Sequence, residues 1–257
     1  MSKELSQKGR RALVTGAASG IGLAIARELS AEGADVIMSD IQDVLVREAA
    51  ATVPRARAIT ADLSSRESVH TLAEAAGHID ILVNNAGLQY VRPVEEFDES
   101  KWDLLLATML TAPFLLIRKL IGGMYQNNWG RIVNVGSVHS LVASAYKSAY
   151  VSAKHGVMGL TKTVALEAAE RAPGVTVNTV CPSYVRTPLV EKQIADQARA
   201  HAIPESEVMS RVLLTQNAIK RLIEPEEVGK CVVFLCSDAA WSITGAAFTM
   251  DAGWLAH

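Results

Sequence analysis

The sequence predicts an α/β protein built on a doubly wound parallel sheet. Short β-branched or apolar runs alternate with longer stretches of helical periodicity along the whole chain. Several runs are apolar almost throughout, as strands must be when helices cover both faces of a parallel sheet. At 257 residues, 49 % hydrophobic and 20 % charged, the chain can bury one large core. The predicted strands are residues 12–15, 35–39, 58–60, 79–83, 132–135 and 175–180.

Helical patterns fill the gaps between these strands. In the first one, Ile21, Ile25 and Leu29 fall on one face, and in the last one Pro225 stands at the start, where its missing N–H does no harm. The predicted helices are residues 20–32, 66–76, 101–126, 149–169 and 226–236. This alternation indicates a Rossmann-like single domain over residues 1–257 with right-handed crossovers. Residues 188–219 are polar and helical and interrupt the rhythm, so we expect this lid segment to cover a site.

Composition excludes several classes of protein. The 25 Lys and Arg residues nearly balance the 27 Asp and Glu residues, which argues against a nucleic-acid-binding protein. The longest uncharged stretches fall short of the ~18 apolar residues of a membrane span, and the polar N-terminus lacks a secretory signal. The three cysteines are odd in number and lack metal-ligand spacing. We therefore expect a cytoplasmic protein with no metal, no membrane and no nucleic-acid partner.

A glycine-rich turn joins the first strand to the first helix. Residues 15–22 read TGAASGIG, and such glycines let the backbone approach a phosphate at a helix N-terminus. The alternative is a turn that uses glycine only for close packing. The candidate cofactor-binding residues here are Gly16, Ser19, Gly20, Ile21 and Gly22.

Acidic and amide residues follow the next strands. Asp40 closes the second strand, where a carboxylate can accept hydrogen bonds from both ribose hydroxyls and repel a 2′-phosphate. This position favours NAD over NADP. Asp62 and residues 84–87 (NNAG) also follow strands, at the rim where open α/β sheets bind ligands.

A serine, a tyrosine and a lysine have spacing typical of proton transfer. Ser137 ends the fifth strand, and Tyr150 and Lys154 lie one helical turn apart on the following helix. A nearby ammonium and the charge of an oxidised nicotinamide would lower the pKa of the tyrosine, and Ser137 could hold the substrate oxygen. By itself the Tyr–Lys pair would also suit an ordinary amphipathic helix.

Lys147 is the only formally charged residue between positions 132 and 153. A desolvated lysine is costly unless it meets an anion, so its place before the catalytic helix suggests a substrate carboxylate. His139, Gln89 and Gln193 lie on the same approach and complete a set of donors suited to a small acid. A surface lysine and a structural histidine are the alternatives.

With these motifs together, the whole chain resembles the short-chain dehydrogenase/reductase family. The resemblance rests on residues 15–22, Asp62, residues 84–87, the Ser137, Tyr150 and Lys154 set, and Pro182 with Thr187. It implies that Tyr150 is the acid/base, that Ser137 positions the substrate and that Lys154 holds the ribose. It also implies cofactor contacts from Leu63, Asn84, Ala86, Gly87, Pro182 and Thr187. Met109 stands where the family usually has an asparagine in a proton relay, and Ser183 stands where it usually has glycine.

A narrower resemblance, to D-3-hydroxybutyrate dehydrogenases, includes Gln89, His139, Lys147, Gln193 and Trp254. It implies NAD-dependent oxidation of (R)-3-hydroxybutyrate by a homotetramer. In that subfamily glutamine, histidine and lysine side chains hold the carboxylate. Tyr184 falls where many members have tryptophan, which leaves room for other chain lengths. The alternatives are a 3-oxoacyl-thioester reductase of the same family and a non-catalytic nucleotide-binding scaffold.

Overall fold

The computed structural model describes residues 6–256, except for the side chains at positions 189, 192, 193 and 200. Its strands are β1 (Arg11–Thr15), β2 (Asp35–Asp40), β3 (Ala56–Thr60), β4 (Ile81–Asn84), β5 (Gly130–Val135), β6 (Val175–Pro182) and β7 (Ala247–Met250). Its helices are α1 (Gly20–Ala31), α2 (Asp43–Ala51), α3 (Arg66–Ala76), α4 (Glu99–Leu106), α5 (Ala112–Gln126), α6 (Ser148–Arg171), α7 (Pro188–His201), α8 (Glu205–Val208) and α9 (Pro225–Cys236).

The seven strands form one parallel sheet in the order β3-β2-β1-β4-β5-β6-β7. The order reverses between β1 and β4, and in open α/β sheets this switch point opens a crevice at the carboxyl ends of the strands. The predicted Rossmann-like, doubly wound single domain is therefore confirmed.

Two hydrophobic cores lie on opposite faces of the sheet. Along β1, Ala12 and Val14 join the core beneath α1, α2 and α9, whereas Leu13 joins the core beneath α3, α5 and α6. This alternation is the period-2 geometry of a strand, and it explains why β1 must be apolar on both faces.

All six predicted strands and all five predicted helices are present, with ends that shift by a few residues. The structure also contains helix α2 and strand β7, whose positions were not predicted from the sequence. The predicted helix over 101–126 starts earlier, at Glu99, and contains a π-helical turn, Ala107–Thr111, between α4 and α5. The lid segment contains α7, α8 and a second π-helical turn, Met209–Leu213.

One helix in the described part of the chain is long and apolar enough to cross a membrane. Glu99–Gln126 is 28 residues long. Its apolar window of 18 residues has a mean hydropathy of 1.8, and 44 % of that window is buried. The sequence-based expectation considered only uncharged stretches, so it did not include this helix, which contains charged residues. Leu115, Leu116 and Leu120 of this helix pack into the core beneath the sheet, so its packing is that of a core helix.

Candidate active site

The glycine turn between β1 and α1 is shaped by close backbone contacts. Gly16 has φ +64°, and a Cβ there would lie 2.7 Å from the Ala86 Cα. A Cβ at Gly22 would lie 2.1 Å from the Gly16 carbonyl oxygen. No side chain caps the N-terminus of α1, and its first turn carries no acidic residue. The turn therefore offers free N–H groups and the positive end of a helix dipole, which suit a phosphate.

Adjacent asparagines after β4 have different surroundings. Asn85 Nδ2 donates hydrogen bonds to the carbonyl oxygens of Thr15 and Gly16, at 2.9 and 3.1 Å, and Asn85 lines the cleft. Asn84 is buried and its Nδ2 donates to Asn134 Oδ1 at 2.8 Å. Asn84, for which the family resemblance implied a cofactor contact, is therefore buried against β5, and its neighbour Asn85 holds the glycine turn.

Asp40 lies at the end of β2 beside the glycine turn. Its Oδ2 accepts a hydrogen bond from the Ala18 N–H and its Oδ1 accepts one from the Gln42 N–H, both at 3.1 Å. Among the described side chains that line the cleft, the only lysines or arginines are Lys147 and Lys154. Both belong to the catalytic half, so no described cation balances Asp40 at this end.

The catalytic candidates come together where β5 ends and α6 begins. Ser137 follows β5 and forms a hydrogen bond with Tyr150. Lys154 is buried, and its Nζ lies 5.5 Å from the centre of the Tyr150 ring. A strand end and the first turns of a 24-residue helix therefore supply the whole predicted set.

Burial is the largest influence on the pKa of Tyr150. Burial raises the pKa of Tyr150, and the hydrogen bond with Ser137 only partly offsets this effect. Burial also lowers the pKa of Lys154 to about 8, and its ammonium donates to the Val135 carbonyl oxygen rather than to the phenol. Because desolvation opposes the phenolate, the lysine alone does not activate the tyrosine.

Lys147 and Tyr184 meet on the substrate side of the cleft. Lys147 is 3 % exposed, and its Nζ donates to the Tyr184 hydroxyl at 3.3 Å. Burial lowers the pKa of Lys147 to about 8. The alternative of a surface lysine is therefore wrong, and this ammonium faces the cleft.

His139 is buried between two aromatic rings. Its ring lies edge-on to Tyr150 and to Trp254, with centroid distances of 6.2 and 5.8 Å. Burial, and secondly the charge of Lys147, lower the pKa of His139 to about 4. His139 is therefore neutral near pH 7, and its buried Nδ1 has no hydrogen-bond partner.

The cleft has a volume of about 470 Å³ and contains most of the predicted site residues. Predicted residues that line it are Gly16, Ser19, Gly20, Ile21, Asp40, Asp62, Leu63, Ala86, Gly87, Gln89, Ser137, His139, Lys147, Tyr150, Lys154, Pro182, Tyr184 and Thr187. Gly22, Asn84 and Trp254 do not line it, and the side chain of Gln193 lies outside the described residues. The cleft is also lined by residues for which the sequence carried no signal, including Ile41, Gln42, Thr108 and Val190.

Met109 packs behind the site. It lies in the π-helical turn and is 2 % exposed. Its Sδ would lie 3.5 Å from a Cβ added at Gly87. It joins a small core with Leu105, Ala149 and Ala153, so it connects the loop after β4 to the catalytic helix by apolar packing. Ser183 lines the cleft and accepts a long hydrogen bond from Asn217, at 3.5 Å.

Within residues 6–256, no group of three or more His, Cys, Asp or Glu side chains is arranged to hold a metal ion. The three cysteines are all unpaired and buried.

Known proteins are similar to this chain in both sequence and architecture. The family model for short chain dehydrogenases matches residues 10–198. D-beta-hydroxybutyrate dehydrogenase from Rhizobium meliloti (strain 1021) is 45 % identical over 96 % of this chain and 99 % of its own length. The enzyme of the same name from Cupriavidus necator is 43 % identical over 97 % of this chain and 99 % of its own.

A solved structure from Beutenbergia cavernae has the same fold. It is described as a candidate NAD(P)-dependent gluconate 5-dehydrogenase, and it has NADP bound at low occupancy. It is 37 % identical, covers 99 % of this chain and 100 % of its own, and superposes with a TM-score of 0.86. Together with the family match and the Ser137, Tyr150 and Lys154 arrangement, this likeness shows that the chain is an oxidoreductase of the short-chain dehydrogenase/reductase family.

Proposed function

We propose that the protein catalyses the reversible, NAD-dependent oxidation of (R)-3-hydroxybutyrate to acetoacetate. The observation that carries this proposal is the buried, cleft-facing ammonium of Lys147, on the same side of the cleft as Tyr150. A buried cation without a carboxylate partner is costly, and a substrate carboxylate would relieve that cost. The names of the two bacterial relatives support the same substrate.

Tyr150 acts as the acid/base in this proposal. In the oxidation direction its phenolate accepts the proton of the C3 hydroxyl, and in reduction its O–H returns that proton. Ser137, which already bonds to Tyr150, donates to the substrate oxygen and holds it near the phenol. A bound nicotinamide would supply the acceptor for the hydride that leaves C3.

The residues present fit a dinucleotide. The Gly16–Ala86 and Gly22–Gly16 contacts leave no room for side chains beside the uncapped end of α1, as a pyrophosphate site requires. Lys154 would hold the ribose on the nicotinamide side. Asp40, without a cation beside it among the described lining residues, supports NAD over NADP.

The carboxylate of the substrate would be held by Lys147, with His139 as a neutral neighbour. We also infer contacts from Gln89, which lines the cleft, and from Gln193 of the lid segment. Trp254 supports the site indirectly, because its ring packs on the edge of His139.

A 3-oxoacyl-thioester reductase is the second candidate within the family. A thioester carries no carboxylate next to its reacting carbon, so Lys147 would be left buried and unpaired in that complex. The buried ammonium therefore favours the free acid. A scaffold without catalysis would not need the Ser137–Tyr150 hydrogen bond.

We further propose that residues 188–219 form a substrate lid and that the enzyme is a cytoplasmic homotetramer. The free, buried cysteines suit a reducing compartment. Phe114 on α5 and Leu166 on α6 are large apolar side chains that are 45 % and 72 % exposed. Their burial between subunits would cover apolar surface that α5 and α6 leave exposed.

Steady-state kinetics of the purified protein test the proposed reaction. NADH or NADPH formation would be followed with (R)-3-hydroxybutyrate, its (S)-enantiomer and a 3-hydroxyacyl thioester, each with NAD+ and NADP+. We expect turnover of the (R)-acid with NAD+ to exceed every other combination. Preferential turnover of the thioester would instead support the second candidate.

A further inference from the structure

We propose that the Tyr184 hydroxyl is a second donor to the substrate carboxylate, so that Lys147 and Tyr184 together select free acids over esters and thioesters. This inference rests on the proposed function and deepens it. Tyr184 lines the cleft, and its oxygen lies 3.3 Å from Lys147 Nζ. The two groups therefore present adjacent polar hydrogens to the same part of the cavity.

The direction of the Lys147–Tyr184 hydrogen bond follows from the chemistry of the two groups. An ammonium has only donors, so Tyr184 must supply the lone pair. The phenol proton then points away from the lysine and is free for another acceptor. Burial raises the pKa of Tyr184 to about 12, so this proton stays in place throughout the working pH range.

No acidic side chain in the described part of the cleft competes for these donors. The described carboxylates that line it are Asp40 and Asp62, which follow β2 and β3 on the far side of β1. His139, which also lines the cleft, is neutral near pH 7 because burial lowers its pKa to about 4. An incoming carboxylate would therefore meet Lys147 and Tyr184 without a rival anion.

Two donors of different charge match the two oxygens of one carboxylate. Hydrogen bonds to charged groups are stronger than those between neutral groups, so the Tyr184 donor is worth most when the ligand is an anion. An ester offers a neutral carbonyl and no charge for Lys147. Loss of the hydroxyl should therefore affect the acid more than its ester.

The test compares Tyr184→Phe with the unaltered protein in the reduction direction, with acetoacetate and methyl acetoacetate as substrates and NADH as cofactor. We expect KM for acetoacetate to rise about 10-fold, since one hydrogen bond to a charged group is worth roughly that factor. By contrast, we expect KM for the ester, KM for NADH and kcat with acetoacetate each to change by less than about threefold. Equal increases for acid and ester, or no increase for either, would overturn the inference.

The double variant Lys147→Met/Tyr184→Phe separates a shared clamp from a packing effect. If both residues hold one carboxylate, Tyr184→Phe should raise KM for acetoacetate by a smaller factor in the Lys147→Met background than in the unaltered protein. Full additivity would contradict the clamp.

Failure of the proposed reaction can be told apart from failure of this inference. If acetoacetate is not reduced, calorimetric titration of acetoacetate into the NAD+-loaded protein still measures carboxylate binding. Weaker binding by Tyr184→Phe would then support the clamp while the proposed reaction falls. Equal binding by the variant and the unaltered protein would overturn the clamp.

Discussion

Lys154 Nζ donates a 2.6 Å hydrogen bond to the carbonyl oxygen of Val135, the last residue of β5. This bond ties the catalytic helix to the strand that ends two residues before Ser137. It also holds the ammonium 5.5 Å from the centre of the Tyr150 ring instead of on the phenol oxygen. The lysine is therefore positioned by the sheet rather than by the phenol oxygen of Tyr150.

Tyr150→Phe removes the only group in the cleft that we assign to proton transfer. We expect kcat to fall by about 10²- to 10⁴-fold, the usual contribution of a positioned acid/base. NAD+ affinity, measured by fluorescence titration, should stay unchanged. Tyr125→Phe, on α5 away from the cleft, is the control and should keep full activity. Retained turnover in Tyr150→Phe would remove the tyrosine from the mechanism.

Gly22→Ala tests the glycine turn. The new Cβ would lie 2.1 Å from the Gly16 carbonyl oxygen, so the turn must shift. We expect the dissociation constant for NAD+ to rise at least about tenfold, equivalent to ~1.4 kcal/mol of binding. Gly122→Ala is the control, because a Cβ there meets nothing within 4 Å and should stabilise α5 by up to ~1 kcal/mol. Unaltered NAD+ binding by Gly22→Ala would show that the turn is not the pyrophosphate site.

Asp40→Asn tests the cofactor preference. The amide keeps one acceptor oxygen for the turn but removes the charge that would repel a 2′-phosphate. The ratio of kcat/KM with NADP+ to that with NAD+ should rise at least about tenfold. Asp43→Asn, three residues further on and not in the cleft lining, should leave this ratio unchanged. If both variants behave alike, Asp40 does not read the ribose.

The affinity for the substrate acid should depend on the charge of Lys147. Because burial lowers the pKa of Lys147 to about 8, the free enzyme loses this charge as pH rises through 8. KM for (R)-3-hydroxybutyrate should therefore be flat below pH 8 and should rise towards tenfold per pH unit above it. Lys147→Arg keeps its charge and should remove this rise. A KM that stays constant to pH 10 would contradict a carboxylate contact with Lys147.

The proposed tetramer depends on exposed apolar residues of α5 and α6. Leu166→Arg places a charge on this surface and should lower the mass measured by light scattering. Val94→Arg, equally exposed but outside both helices, is the control and should leave the mass unchanged. A monomeric mass for the unaltered protein at micromolar concentration would overturn the assembly.

Sequence patterns predicted the sheet because parallel strands must be apolar on both faces. Strand β4 (Ile81–Asn84) shows this clearly, since its first three residues are apolar and all four are buried. Helix α2 was harder to find, because it has nine residues and buries only Val46, Ala49 and Ala50. Its remaining side chains are exposed, so burial does not require them to follow a periodic pattern.

At the site, residue types and strand ends were enough to find Ser137, Tyr150 and Lys154. They could not tell which of two adjacent asparagines enters the cleft, because this depends on the register of β4 against β5, where Asn84 pairs with Asn134. Nor could they show that burial would outweigh the Ser137 hydrogen bond and raise the pKa of Tyr150. Long-range packing decides both properties.

The central claim is that this cleft oxidises a small free hydroxy acid with NAD+. The most direct measurement is kcat/KM for (R)-3-hydroxybutyrate and for its methyl ester, with NAD+, in the unaltered protein and in Lys147→Met. We predict a strong preference for the acid that disappears in the variant, while turnover of the ester persists. Equal use of acid and ester by the unaltered protein, or no NADH formation from the (R)-acid, would contradict this claim.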